Sequence, residues 1–278
     1  MFLSLHGSVT TGRVGWPQLI DTAAVAGYKG VDVSAPGALK EGLEATRSRL
    51  KAKGIRAGVV GLPVEFRKDE DTFKKDLDSL EAAAQLAVGL DCPRMATWIL
   101  PSSENPKDVQ RALLRKRLGA CANVLARSHV RLGLEFVSPV HLRKRFPHEF
   151  IWAMNEMLAF AKECGPNCGL LLDSWHWHHA GATVQDILKA GREAIVTVHF
   201  NDAARQDPEK VLDNERLMPG EGVIDLVGFL KALHKIGYKD AVSIEVFGRG
   251  LKDMAPEEGA ALAARTAKSV FAKAEIPL

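Results

Sequence analysis

The sequence predicts an α/β fold, a single (β/α)8 TIM barrel that forms one domain over residues 1–278. Short apolar runs alternate eight times with longer segments in which apolar residues recur every three or four positions, as they do in amphipathic helices. The 278 residues divide into eight units of about 35, which suits strand–helix–strand repeats. The strands read as continuous apolar runs, which favours a parallel sheet covered on both faces. We find no linker or composition break that would mark a second domain.

An open, doubly wound sheet is the alternative architecture. No Gly-x-Gly-x-x-Gly pattern follows the first predicted strand, which argues against a dinucleotide-binding version of that fold. The strands are predicted at residues 2–6, 30–34, 55–61, 94–97, 131–136, 169–173, 194–199 and 241–245. The helices are predicted near residues 16–27, 39–53, 70–89, 107–128, 149–164, 183–191, 225–236 and 256–274.

Residues that favour helix ends support these boundaries. Thr183 and Asp225 stand where a helix N-cap belongs, because their side-chain oxygens can accept from free backbone N–H groups. Glycines that permit a left-handed C-cap follow five of the helical patterns, at Gly27, Gly54, Gly89, Gly191 and Gly237.

Composition and charge exclude several classes of protein. A hydrophobic fraction of 46% excludes global disorder, and 37 basic against 34 acidic residues give a net charge of +3, which does not call for a nucleic-acid partner. No apolar run approaches the ~18 residues of a membrane helix, and residues 1–7 lack the features of a signal peptide. Four cysteines do not make a disulfide scaffold, and Cys164 and Cys168 are expected to be thiols. We therefore expect a cytoplasmic protein, and the sequence leaves its oligomeric state open.

Polar side chains end four consecutive predicted strands. The fifth to eighth strands end in Glu135, Asp173, His199 and Glu245, at the end of the barrel where catalytic groups lie. Three converging carboxylates would repel one another unless a proton or a cation neutralised them. Two glutamates, an aspartate and a histidine suit one divalent ion: Mn²⁺, Mg²⁺, Co²⁺ or Zn²⁺.

Further polar and aromatic residues are expected at the same rim. His176 lies three residues past Asp173, and Arg205 lies six past His199. His6 ends the first predicted strand and Trp98 follows the fourth. An aromatic face packs well against the C–H face of a sugar, while histidine and arginine bind its oxygens. These four residues are our candidates for contact with a substrate.

The chain resembles the xylose isomerase-like TIM barrels, in the sugar isomerase and epimerase branch. The resemblance covers essentially the whole chain. It is carried by Gly-Leu-Glu at 133–135, Leu-Asp-Ser-Trp-His at 172–176, Val-His-Phe-Asn-Asp at 198–202, Pro-Gly-Glu-Gly-Val-Ile-Asp at 219–225 and Ser-Ile-Glu at 243–245.

The resemblance implies one divalent metal, Mn²⁺ first, held by Glu135, Asp173, His199 and Glu245. It also implies that Glu135 and Glu245 are the catalytic pair that transfers a proton next to a carbonyl, through an enediolate. By the same analogy, His176 and Arg205 hold substrate oxygens. The expected activity is isomerisation or epimerisation of a small sugar, keto-sugar or cyclitol, in carbohydrate metabolism.

Other functions share this fold. A metal-dependent dehydratase of an inosose or of dehydroshikimate would use the same ligands and expel a hydroxyl. An endonuclease IV-like hydrolase needs further histidines on the third and fourth strands, which this chain lacks. A non-catalytic sugar-binding barrel would be expected to have lost a ligand. Finally, Gly-Arg-Gly at 248–250 follows the eighth strand, where barrels often bind phosphate, so the substrate could be phosphorylated.

Overall fold

The computed structural model describes residues 1–278 and confirms the (β/α)8 barrel. Eight parallel strands close on themselves in chain order, the last pairing with the first. We number them β1 Phe2–Leu5, β2 Gly30–Val33, β3 Arg56–Gly61, β4 Arg94–Ile99, β5 Arg131–Phe136, β6 Cys168–Asp173, β7 Ile195–Phe200 and β8 Ala241–Ile244. A separate two-stranded antiparallel ribbon pairs Ser102–Ser103 with His148–Glu149.

Helices surround the barrel. They are α1 Gln18–Val25, α2 Ala35–Glu41, α3 Leu43–Lys53, α4 Glu70–Gly89, α5 Lys107–Arg127, α6 Val140–Arg143, α7 Met154–Cys164, α8 Ser174–His179, α9 Val184–Ala190, α10 Leu226–Lys235 and α11 Pro256–Lys273. Short 3₁₀ turns occupy Gly7–Thr10, Arg192–Ala194, Pro208–Lys210 and Leu251–Asp253. None of the helices is long and apolar enough to cross a membrane.

Several element boundaries differ from the sequence prediction. The helix expected over 39–53 is interrupted at Gly42, whose φ of 93° ends α2 and begins α3. The expected helix 149–164 begins only at Met154, and residues 174–179, which we had not assigned, form α8. Thr183 and Asp225 do cap α9 and α10. Gly89 is the last residue of α4, and the left-handed position after that helix is taken by Asp91.

The hydrophobic core fills the space between the barrel and its helices. One cluster of 75 buried residues joins the outward faces of the strands to the inward faces of the helices. A second, small cluster of Val59, Ala96 and Leu171 lies apart from it. These three side chains line the cavity at the mouth of the barrel, so the core ends where the candidate site begins.

The barrel also contains a buried polar group. The Asp32 carboxylate accepts hydrogen bonds from the Ser4 and Ser243 hydroxyls, at 2.7 and 2.8 Å. A Cβ on Gly58 would lie 2.3 Å from Ser4 Oγ and 2.5 Å from Asp32 Oδ1. Glycine at that position of β3 therefore leaves the room that this carboxylate needs.

Candidate metal centre and active site

Four polar side chains meet at the carboxyl end of the barrel. Glu135 lies in β5, Asp173 ends β6, His199 lies in β7 and Glu245 follows β8. One ligand atom from each lies within 4.8 Å of the others, and all four residues are buried. The strand register explains the convergence, because His199 is the partner of Asp173 on one side and of Ser243 on the other.

The histidine lies among the carboxylates. Its Nδ1 is 3.2 Å from Glu245 Oε2, 3.5 Å from Glu135 Oε1 and 3.9 Å from Asp173 Oδ2. Burial raises the pKa of Glu135 to about 8, although His199 opposes that shift. Burial would also raise the pKa of Glu245, but the positive charges of His199 and Arg216 outweigh it and hold that pKa well below the usual value. Burial would lower the pKa of His199, but Glu245 and Glu135 raise it well above the usual value.

Two atoms in this cluster fit a bound cation. Glu135 Oε1 and His199 Nδ1 are buried and have no hydrogen-bond partner. Buried polar atoms in native proteins are almost always paired, so two such atoms side by side require an explanation. Carboxylate oxygens and one imidazole nitrogen form a donor set that suits divalent ions. The residues present therefore fit a divalent cation held by Glu135, Asp173, His199 and Glu245.

Arg216 is the cation that contacts the cluster, and the sequence analysis missed it. Its Nη1 donates to Asp173 Oδ2 at 2.8 Å and to Glu245 Oε2 at 2.7 Å. Its Nη2 donates to Asp213 Oδ1 at 2.9 Å, and the side chain is 2% exposed. Contacts with Asp173, Asp213 and Glu245 raise its pKa well above the usual value, although burial opposes the shift. Arg216 thus neutralises part of the negative charge and fixes two of the candidate ligands.

Asp173 is held from three directions. Its Oδ1 accepts from the backbone N–H of Trp175 at 2.6 Å, because Asp173 is the N-cap of α8. Asn201 Nδ2 donates to both carboxylate oxygens, at 3.2 and 3.0 Å, and to the Glu245 carbonyl at 3.0 Å. Such contacts fix the orientation of a metal ligand before the metal binds. Asn201 is a second residue that the sequence analysis did not select, although it is part of the 198–202 motif.

His176 is buried behind the cluster and does not line the cavity. Its Nε2 lies 3.1 Å from Arg216 Nη2, and its Nδ1 lies 3.3 Å from the Ser138 backbone N–H. Burial lowers its pKa, which favours the neutral ring; that ring has one accepting nitrogen, which serves either the Ser138 N–H or the guanidinium. The structure therefore places His176 against Arg216 rather than in the cavity.

A cavity of about 410 Å³ opens above three of the four candidate ligands, Glu135, His199 and Glu245. His6 and Trp98, which the sequence analysis selected, both line it. So does Trp16, which it did not select. Trp98 is 46% exposed, and the Arg67 guanidinium lies 4.1 Å from the centre of its ring. The His6 Nε2 lies 3.6 Å from Glu245 Oε1, so His6 reaches both the cavity and the carboxylate cluster.

Arg205 does not reach this cavity, which departs from the sequence prediction. It is exposed and lines a separate surface cavity of about 330 Å³ with His178 and His179. The cause is the fold of the loop after β7. The Asp202 carboxylate accepts from four backbone N–H groups at 2.9–3.0 Å, and Asp202 pairs with Leu217. Because Asp202 pairs with Leu217, the adjacent Arg216, and not Arg205, lies against the carboxylate cluster.

The arginine after β8 is already paired. Arg249 donates to both carboxylate oxygens of Glu221, at 2.6 and 2.8 Å. Its charge is therefore matched within the protein, and the structure gives no support to an anion site at 248–250, which the sequence had left open.

Comparisons with known proteins show what the chain is similar to. Two curated relatives match part of the chain. An inosose isomerase of Bacillus subtilis is 35% identical over 107 residues, which is 38% of each chain. A 3-dehydroshikimate dehydratase of Pseudomonas aeruginosa is 34% identical over 88 residues, 31% of this chain and 14% of that one. The matches thus span less than half of either relative.

Solved structures match over nearly the full length. A xylose isomerase domain protein from Alicyclobacillus acidocaldarius is 30% identical, with a TM-score of 0.90 over 98% of this chain and 99% of that chain. The IolI protein with a bound zinc atom is 21% identical, with a TM-score of 0.82 and coverages of 98% and 99%. The family model described as xylose isomerase-like TIM barrel matches residues 20–270. The chain therefore belongs to the xylose isomerase-like TIM barrel family.

Proposed function

We propose that this protein is a divalent-metal-dependent isomerase of a sugar or cyclitol, which moves a proton next to a carbonyl group. The observation that carries the proposal is the cluster of three carboxylates and one histidine with two unpartnered buried atoms, beside a cavity of about 410 Å³. Cavities for small ligands commonly measure about 300–1,000 Å³. The name of the Bacillus subtilis relative favours an inosose as the first substrate to test.

One ion would be held by Glu135, Asp173, His199 and Glu245. Mn²⁺ is our first choice, followed by Mg²⁺, Co²⁺ and Zn²⁺, because oxygen donors predominate. When bound, the ion supplies a Lewis acid that stabilises negative charge on a substrate carbonyl oxygen. Arg216 and Asn201 hold Asp173 in place for this role.

The two glutamates transfer the proton. Glu135 lies in β5 and Glu245 follows β8, so β6 and β7 stand between them around the barrel, and both line the cavity. One carboxylate removes the proton from the carbon and the other returns a proton, at the same or the neighbouring carbon. Return at the neighbouring carbon, together with transfer of a hydroxyl proton from the oxygen that becomes the new carbonyl to the former carbonyl oxygen, gives isomerisation. Return on the opposite face of the same carbon gives epimerisation.

The cavity walls bind the substrate. Trp98 and Trp16 offer aromatic surface to C–H groups, while His6 is placed to bind a hydroxyl or carbonyl oxygen. His176 acts as a positioning residue through Arg216. Arg205 has no part in this scheme because it is exposed outside the cavity.

Deuterium exchange tests the proposal. The Mn²⁺-loaded protein is incubated in D₂O with inosose and a panel of ketoses, and proton NMR follows the hydrogens next to the carbonyl. We expect deuterium uptake on at least one substrate, reduced by about 10²–10⁴-fold in Glu245→Gln. The exposed Glu104→Gln is the matched control and should keep full activity. Absence of exchange on every substrate would contradict the proposal.

A dehydratase is the second candidate, favoured by the name of the Pseudomonas aeruginosa relative. The same glutamates would remove the proton, and a neighbouring hydroxyl would then leave as water. Product mass separates the two activities, because an isomerase conserves substrate mass apart from deuterium while a dehydratase lowers it by one water.

A further inference from the structure

A second cavity, of about 620 Å³, lies at the opposite end of the barrel from the candidate ligands. Its wall is formed by α3, by the first residues of β3 and β4, and by the turn before β8. The four candidate metal ligands, Glu135, Asp173, His199 and Glu245, lie at the carboxyl ends of the barrel strands. This cavity is bordered by the amino ends of barrel strands. The proposed isomerase activity does not involve it.

The rim of this cavity is rich in unpaired positive charge. Five cations line it, namely Arg47, Lys51, Arg56, Arg94 and Lys239, against three acids, namely Glu44, Asp91 and Asp240. Arg94 is paired with Asp240 at 2.7 Å. Asp240 also forms an ion pair with Arg192. The remaining four rim cations make no ion pair within the protein.

The floor is apolar, and one of the cations is held against it. Phe2, Leu50, Ile55 and Leu90 are each buried by 93% or more and line the cavity. The Arg56 guanidinium lies 3.7 Å from the centre of the Phe2 ring. Stacking on an aromatic face restricts the guanidinium while leaving its N–H groups free to donate. An apolar floor with a restricted arginine beside it suits an organic anion better than a bare ion.

We propose that this cavity binds a phosphorylated small organic molecule. Its phosphoryl oxygens accept hydrogen bonds from Arg47, Lys51 and Arg56, and its organic part covers the apolar floor. Arginine forks match the spacing of phosphoryl oxygens, and hydrogen bonds between charged groups are stronger than neutral ones. The net excess of two positive charges on the rim matches a phosphate dianion.

Titration calorimetry with phenyl phosphate tests the proposal, because this probe joins an aromatic ring to one phosphoryl group. The test variant is Arg47→Gln with Lys51→Gln, since both residues are exposed on α3 and form no ion pair. The control is Lys231→Gln with Lys235→Gln, which removes the same charge from exposed positions of α10. Circular dichroism verifies that both variants are folded.

We expect one saturable site for phenyl phosphate in the wild-type protein and in the control. The test variant should bind at least about tenfold more weakly, because two charge-assisted contacts are lost. Phenol, which lacks the phosphoryl group, should not bind. Three results would overturn the proposal: no saturable binding to the wild-type protein, equal affinity in the test variant, or an equal loss in the control.

Discussion

Replacing Arg216 by methionine tests the role of this guanidinium among the buried carboxylates. Arg216 donates to Asp173 at 2.8 Å, to Glu245 at 2.7 Å and to Asp213 at 2.9 Å, and its side chain is 2% exposed. Removing one partner of a buried ion pair costs about 3–5 kcal/mol, because the remaining charges are left buried and uncompensated. At about 2 °C per kcal/mol for a chain of this size, Tm should fall by about 6–10 °C.

The measurement is thermal unfolding followed by circular dichroism in EDTA, so that no metal ion can replace the lost charge. Arg111→Met is the matched control, because Arg111 forms an ion pair with Glu163 at 2.7 Å in which both side chains are partly exposed. That pair should contribute at most about 1 kcal/mol. If the two variants unfold at the same temperature, Arg216 does not stabilise the carboxylate cluster and the reasoning fails.

Three further predictions concern positions outside this ion pair. Burial raises the pKa of all four cysteine thiols to about 12, so they should resist a thiol reagent at pH 8 until the protein unfolds. Because these pKa values are raised on folding, the stability that the thiols contribute should be complete below pH ~8.5 and should be lost as the pH rises toward ~12. Urea denaturation across that pH range measures this loss. Asn201→Leu removes the donor to both oxygens of Asp173 and should weaken Mn²⁺ binding by about 10–100-fold, as measured by calorimetry. The exposed Asn155→Leu is the control, and an affinity of Asn201→Leu equal to that of this control would contradict the prediction. Asp202→Ala leaves four backbone N–H groups without their acceptor, so limited proteolysis should cleave residues 203–224 faster than in the wild-type protein; an identical cleavage rate would show that the loop is held otherwise.

The fold could be predicted because its pattern is local and repeated. Eight apolar strands and their amphipathic helices each show a period that can be recognised within about ten residues. Boundaries were less accurate where a single backbone angle decides them. Gly42 interrupts a helical pattern by adopting a φ of 93°, and nothing in the apolar period of residues 39–53 marks that break.

The convergence of Glu135, Asp173, His199 and Glu245 could be predicted because each lies at the carboxyl end of a strand and the barrel brings strand ends together. Arg216 could not be found in the same way. It lies 16 residues beyond the end of β7, and it reaches the cluster only because Asp202 pairs with Leu217 across the intervening loop. Arg205, which is nearer in sequence, is carried to the surface by the same loop.

The spacing of the Asp202 contacts suggests how a residue placed like Arg216 could be recognised from sequence. Asp202 is followed after 18, 20 and 22 residues by the backbone groups that it binds, within the Gly-rich stretch 220–224. An aspartate at a strand end and a later Gly-rich turn together indicate a closed loop. A basic residue just before that turn would then be a better candidate for the site than one just after the strand.

Binding of Mn²⁺ by the metal-free protein tests the central claim most directly. Calorimetric titration of the wild-type protein should give one saturable site per chain, and Glu135→Gln should weaken it by at least about tenfold, because one oxygen donor loses its charge. The exposed Glu104→Gln should bind as the wild-type protein does. If the wild-type protein shows no saturable site, or if Glu135→Gln binds with unchanged affinity, the cluster at the mouth of the barrel is not a metal centre.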